Sequence, residues 1–239
     1  MKTKALNETY LLKIPNVNQC SNFGGLVLNG NKMYTIKTKK GNGVSTISYY
    51  TNYRNSTRTN HKYVDCMHHG NDLAYYNNHL YVAPCGGYVE EVSTINWSHR
   101  RLECDVFVSA IAHYQNNQFI VTSGDYGDYF KLSLLELRDN KMYFIRDWTV
   151  TNPKHGDYNV SQGMAFNKKN NRVYNIFSRK DYKRNIILRS PIGGPNPDFM
   201  RLSSESNKHY EFECLDFNPN NRFIIGLNRS SGDATYIAK

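Results

Sequence analysis

The chain has 239 residues, with 30 Lys and Arg against 20 Asp and Glu, for a net charge of +10 with neutral histidine. That length suits a single domain, residues 1–239, and no apolar run approaches the ~18 residues a membrane-spanning helix needs. Its 19 Tyr, 11 Phe and 16 Gly, together with many Asn-containing segments, favour short strands and tight turns over long helices, so the fold class is all-β.

The segment from Met1 to Leu12 carries lysines but neither an apolar stretch nor a small-residue cleavage site. The expected location is therefore cytoplasmic, or secreted without a recognisable signal peptide. Tyr10–Ile14, YLLKI, reads as a strand with no neighbour nearby in sequence.

Five segments then repeat one pattern, in which a small or polar residue precedes an apolar-aromatic strand, an Asn- or Gly-containing turn and a second strand. They are GGLVLNGNKMYTI from Gly24, NDLAYYNNHLYVA from Asn71, SAIAHYQNNQFIV from Ser109, QGMAFNKKNNRVYNI from Gln162 and ECLDFNPNNRFIIGL from Glu213. Asn and Gly tolerate the left-handed backbone of tight hairpins. Aligned on Leu26, Leu73, Ile111, Met164 and Leu215, the copies lie 47, 38, 53 and 51 residues apart. This matches the roughly 40–50-residue recurrence of four-stranded propeller blades.

Third strands are predicted at Val44–Tyr50, Tyr88–Ile95, Phe130–Leu137 and Asn185–Arg189, and fourth strands around Lys62–Asp65, Arg101–Val106, Lys141–Trp148 and Phe199–Leu202. The polar run Tyr50–Lys62 reads as a long exposed loop, and Gly193–Pro197 as a turn between blades. The fifth copy, from Glu213 to Lys239, holds only three strands. Pairing of Tyr10–Ile14 with the strand near Thr235–Ile237 supplies the fourth and closes the ring, which leaves no long open edge. The predicted architecture is a five-bladed β-propeller of four-stranded blades.

The repeats resemble the helveticin J family of bacteriocin-like proteins of lactobacilli and their relatives. KMYTIKTKKGNGVSTISYY is similar to that family's early hairpin, and SQGMAFNKKNNRVYNIFS and YEFECLDFNPNNRFIIGLN to its paired motifs. HHGNDLAY resembles a segment of related propellers in Gram-positive surface proteins. The resemblance implies a secreted or surface-acting antagonist of other bacteria.

Two positions before each alignment anchor stand Gly24, Asn71, Ser109, Gln162 and Glu213, a polar ring at one channel mouth, to which the second repeat adds His68, His69 and Asp72. Convergent polar groups in a concave mouth define the candidate ligand-binding set: His69, Asn71, Asp72, Ser109, Gln162 and Glu213. Hydrogen bonding of backbone and water is the competing role for these side chains.

Hydrolysis of a glycoside needs two carboxylates about 5–9.5 Å apart. Asp72 and Glu213 are the first candidates, joined by Asp125, Asp128 or Asp216. His68 or His69 with Asp72 lacks the spacing of a zinc site, and no nucleophile elbow occurs, so no metal and no cofactor is expected. The five cysteines form no metal-like cluster, and free thiols are expected, with Cys66–Cys85 as the one conceivable bridge.

Tyr49, Tyr50, Tyr53, Tyr126 and Tyr129 fall in or beside predicted loops, where aromatic faces suit sugar rings; packing between strands is the competing role. Lys and Arg are scattered without a dense stripe, which disfavours nucleic acid. The expected partner is a sugar-containing or anionic cell-wall or surface glycopolymer bound at the channel mouth. A glycoside hydrolase and an intracellular propeller that binds protein partners are the alternatives.

Overall fold

The computed structural model describes residues 4–6, 8–39, 43–55, 59–64, 69–179, 185–202, 211–228 and 234–238. It is all-β. The strands are β1 (Lys4–Leu6) and β2 (Glu8–Lys13), then β3 (Cys20–Asn29), β4 (Lys32–Lys39), β5 (Ser45–Tyr50) and β6 (Thr59–Val64), then β7 (Asp72–Tyr76), β8 (His79–Ala83), β9 (Gly86–Ser93) and β10 (His99–Val108). There follow β11 (Ala110–Gln115), β12 (Gln118–Asp125), β13 (Tyr129–Arg138) and β14 (Lys141–Thr151), then β15 (Tyr158–Asn167), β16 (Arg172–Arg179), β17 (Asn185–Pro191) and β18 (Asp198–Leu202), and finally β19 (Glu211–Phe217), β20 (Phe223–Asn228) and β21 (Ala234–Ala238).

Pairing that is antiparallel except at β1–β18 and β10–β14 groups these strands into sheets ordered β3-β4-β5-β6, β1-β18-β17-β16-β15, β19-β20-β21-β2 and an eight-stranded β11-β12-β13-β14-β10-β9-β8-β7. Two meanders make up the large sheet, joined through parallel contact of β10 with β14 at Glu103↔Lys141 and Cys104↔Met142. Lys141 Nζ lies 2.6 Å from Asp105 Oδ1, and the Phe144 amide donates to Asp105 Oδ2 at 3.2 Å, which fastens these long outer strands together.

The first strands β3, β7, β11, β15 and β19 pack side by side in that order, and β19 packs back on β3. Five clusters of buried side chains fill the spaces between successive meanders. Val27, Tyr34, Ile36 and Ile47 meet Leu73, Leu80, Val82 and Val92, for example, and Phe130, Leu132 and Trp148 meet Met164, Phe177 and Ile186. Face-to-face stacking of twisted sheets around a centre is propeller-type architecture.

Asn-rich turns form the hairpins as expected. Asn77 and Asn78 (φ 46° and 60°), and Asp139 and Asn140 (48° and 63°), supply the two consecutive left-handed residues of type I′ turns. The strand predicted at Tyr10–Ile14 is β2, which pairs with β21 in the register Thr9↔Ile237, Tyr10↔Tyr236 and Lys13↔Ala234. Leu12 and Ile14 are buried with Phe23, Leu26, Tyr50 and Ile224. The buried Lys37 ammonium donates to the Ile14 carbonyl at 3.1 Å and to Asn16 Oδ1 at 2.6 Å, which anchors the segment after β2.

Two expectations are corrected. Tyr50–Lys62 is not one exposed loop, because β6 begins at Thr59 and both Tyr50 and Tyr53 are buried in the cluster that packs β2 against β3. Gly193–Pro197 lies inside the β17–β18 hairpin rather than between meanders. β1, unforeseen, pairs in parallel with β18 (Lys4↔Met200, Leu6↔Leu202). No helix among the described residues is long and apolar enough to cross a membrane. Cys20, Cys85, Cys104 and Cys214 are free thiols, and Cys66 lies outside the described residues.

Leu12→Ala should cost about 2–5 kcal/mol, the usual range for truncating a buried leucine. Deleting residues 1–15 should cost more, because it removes the edge partner of β21 as well. Denaturant melts of the three proteins check both; a deletion variant as stable as the full chain would contradict the closing role of β2.

Candidate functional site

Alternate residues of each first strand face opposite neighbours. Leu26, Leu73, Ile111, Met164 and Leu215 pack against the preceding meander, whereas Val27, Ala74, Ala112 and Ala165 pack against the following one. At the equivalent position β19 carries Asp216, and its Oδ2 accepts the Leu28 amide of β3 at 2.7 Å. A polar group thus joins last meander to first where the others use an aliphatic side chain.

One position before the anchors stand Gly25, Asp72, Ala110, Gly163 and Cys214, four small residues and one carboxylate. A Cβ on Gly163 would lie 2.6 Å from the Glu213 carbonyl and 3.0 Å from Asp72 Oδ1, so only glycine fits there. Into this space Asp72, fully buried, sends Oδ2 to accept the amides of Ile111 and Met164, both at 3.0 Å. One carboxylate oxygen therefore ties β7 to β11 and β15. The other, Oδ1, is buried without a hydrogen-bond partner among the described residues. Burial raises the Asp72 carboxyl well above the usual range, the Met164, Ile111 and Leu73 amides pull it back, and the Asp216 charge raises it further.

At the predicted mouth, the Asn71 side-chain amide donates to the Ser109 carbonyl at 2.6 Å, and the Ser109 hydroxyl to the Thr122 carbonyl at 3.1 Å. Gln162 Nε2 donates to Glu211 Oε1 at 2.5 Å, Asn228 donates to Glu213, and the Glu211 and Glu213 carboxyls are themselves hydrogen-bonded. Burial raises the Glu211 carboxyl, which those bonds partly offset. Asn71, Gln162 and Glu213 are buried, His69 is exposed, and His68 lies outside the described residues. The structure thus joins Asn71 to Ser109 and Gln162, through Glu211, to Glu213. Asp72 is fully buried, whereas His69 is exposed.

A cavity of about 150 Å³ opens at the opposite ends of the same strands. All five first strands line it, and its polar groups come from Tyr75, His113, Lys168 and Asp216. Both Asp216 oxygens accept backbone amides, Oδ2 from Leu28 and Oδ1 from Phe217 at 2.7 Å. Burial pushes its carboxyl up to about 6, against the pull of those amides and the Lys168 charge. His113 stacks on Tyr76 at 4.5 Å, and its Nε2 pairs with the Asn116 carbonyl at 2.8 Å. Burial lowers its pKa, and the Lys168 charge adds to the effect, which favours a neutral ring.

Lys168 and His113 were not singled out in the sequence. Tyr75, His113 and Phe166 stand two residues after their anchors, so the offset used for one mouth, applied in the other direction, finds this one. Among the described residues, no three His, Cys, Asp or Glu side chains group as metal ligands.

No protein-family profile matches the chain, and no curated protein sequence matches it. Solved structures do resemble it. A glutaminyl cyclase of Myxococcus xanthus is 9% identical with a TM-score of 0.66, over 100% of this chain and 98% of that one. Regucalcin of Agrobacterium tumefaciens, a calcium-binding protein, is 9% identical with a TM-score of 0.56, over 99% and 95%. A bifunctional GH43-CE protein of Bacteroides eggerthii is 14% identical with a TM-score of 0.62, over 95% of this chain but 34% of that one. At these identities the likeness is one of fold, and it places the chain among propeller-type proteins.

Asp72→Ala should destabilise the protein by about 2–5 kcal/mol, since it strands two buried amides, whereas Asp72→Asn keeps an acceptor and should cost less. Asp216 adds a pH dependence. Its folded value near 6 exceeds the ordinary 3.8, so its contribution to stability is full below about pH 4 and is lost as pH rises through about 6. The stability of the wild type minus that of Asp216→Asn should therefore fall across that window and stay level above it, as read from denaturant melts at a series of pH values.

Proposed function

We propose that the chain is a five-bladed propeller, closed by β2, that holds a sugar-containing anionic surface polymer at the axial cavity without cleaving it. Support for the count comes from five packed first strands, five inter-meander clusters, and meanders of four strands once β2 joins β19, β20 and β21. The observation that carries the binding reading is the cavity itself, lined by all five first strands and bordered by Lys168 and Asp216. Its volume, below the 300–1,000 Å³ of drug-sized sites, suits one sugar residue rather than a large cofactor.

The electrostatics agree with an anionic polymer. Lys32, Lys169 and Arg222 are exposed on hairpins that continue the cavity-lining strands, and the chain carries a net +10. Phosphates of the polymer would meet these cations while sugar hydroxyls meet Asp216, His113 and Tyr75. The resemblance to helveticin J supplies the setting, a bacteriocin-like protein acting at the surface of other bacteria.

Hydrolysis is the weaker reading. Among the described residues, Asp216 is the one carboxylate of the cavity lining, and backbone amides engage both its oxygens. Glu211 and Glu213, at the other mouth, are in direct contact rather than at a glycosidase separation.

Wild type and Lys168→Ala should be titrated with purified teichoic acid at low and high salt, with sugar release assayed in parallel. Lys168→Ala should weaken binding by about tenfold, equivalent to ~1.4 kcal/mol. Salt should weaken the wild type, since the screening length is about 8 Å at physiological ionic strength. Unaltered affinity in the variant would remove the ligand from the cavity, and release of sugar would replace binding with catalysis.

A further inference from the structure

The β12–β13 connection carries two large aromatic side chains into solvent. Tyr126 and Tyr129 are 53% and 42% exposed, and their rings stack with centroids 5.2 Å apart and planes inclined by 21°. Contiguous exposed apolar surface rimmed by polar residues marks recognition sites.

This pair is held in place. The Tyr126 amide donates to the Tyr129 carbonyl at 2.9 Å, the Gly127 amide to Asp125 Oδ1 at 3.2 Å, and the Asn152 amide to the Asp128 carbonyl at 2.7 Å. The Tyr126 ring lies over Gly124, where a Cβ would come within 2.6 Å of it, and Gly127 (φ 88°) faces His155. Loop and neighbouring segment thus fix the rings before any ligand arrives, which reduces the ordering cost of binding.

We infer that Tyr126 and Tyr129 form a platform for the faces of neutral sugar rings in an unbranched oligosaccharide, with Asp125, Asp128 and His155 receiving its hydroxyls. The apolar face of a pyranose stacks on an aromatic ring, and carboxylate and imidazole groups hydrogen-bond the equatorial hydroxyls. The turn amide engages Asp125 Oδ1, and Asp128 is 98% exposed, 3.9 Å from His155 Nδ1. The same two carboxylates repel phosphate and uronate, which selects a neutral glycan over a nucleic acid or a charged polymer.

This surface adjoins the start of β11, since Ala110 pairs with Thr122, whereas the axial cavity adjoins its end at His113. The two sites are therefore at opposite mouths, and the platform stands independently of the cavity reading.

Isothermal titration of the full chain with cellohexaose, chitohexaose and an oligogalacturonate tests it. At least one neutral hexasaccharide should bind with little salt dependence, and the oligogalacturonate should bind more weakly. Tyr126→Ala and Tyr129→Ala should each lower affinity by about tenfold, a loss on the scale of one aromatic contact. Tyr126→Phe should keep it, and Ile95→Ala, an exposed substitution outside both sites, should leave it unchanged. Circular dichroism melts matching the wild type would establish that the exposed substitutions leave the fold intact. Absence of binding to either neutral sugar, wild-type affinity in both alanine variants, or preference for the charged oligomer would overturn the proposal.

Discussion

The structure depends on how its first strands satisfy their inward-facing backbone groups. Each is the edge of a sheet, with one side in a ladder and the other turned to the centre, where an unpaired amide is costly. Side chains from neighbouring meanders fill that role. Asp72 accepts the Ile111 and Met164 amides, Asp216 that of Leu28, Asn228 that of Phe23 and Asn185 that of Phe212. Asn71 serves the converse need by donating to the Ser109 carbonyl. Strands too far apart to share a ladder are thus joined through short polar side chains.

This arrangement explains why carboxylates stand in so crowded a centre. Asp72 fits because Gly25 and Gly163 leave room beside it, and its charge is disfavoured by burial while two amides make the site suitable for an acceptor. Asp216 repeats the device one layer on, at the junction of β19 with β3, where it also borders the cavity. Structural and functional chemistry therefore overlap at Asp216, whereas at Asp72 the role is interior.

The two mouths differ for the same reason. At the starts of the first strands, Asn71 and Gln162 bond to the meander that follows each, and Glu213 bonds to Asn228 of its own, which leaves the nearby exposed chemistry on the β12–β13 connection. At their ends, space remains between the five strands, lined in part by Ala74, Ala112 and Ala165 and bordered by Lys168, His113 and Asp216.

Much of the fold was legible in the sequence because it rests on local rules. The Asn and Gly turns report left-handed backbone, the alternating apolar residues report strands, and the recurrence of Leu26, Leu73, Ile111, Met164 and Leu215 reports one unit repeated. The unpaired YLLKI and a last copy one strand short together indicated the β2–β21 pairing. Of the candidate site, the sequence indicated polar residues near the strand starts and the exposure of Tyr126 and Tyr129, but not the burial of Tyr50 and Tyr53. What only the tertiary structure decided was where each polar group turns. Asp72 meets partners 39 and 92 residues away, and Asp216 one 188 away, and no local pattern encodes such distances. Whether a carboxylate serves a neighbouring backbone or a ligand is set by which strand lies beside it, and that is a property of the closed ring.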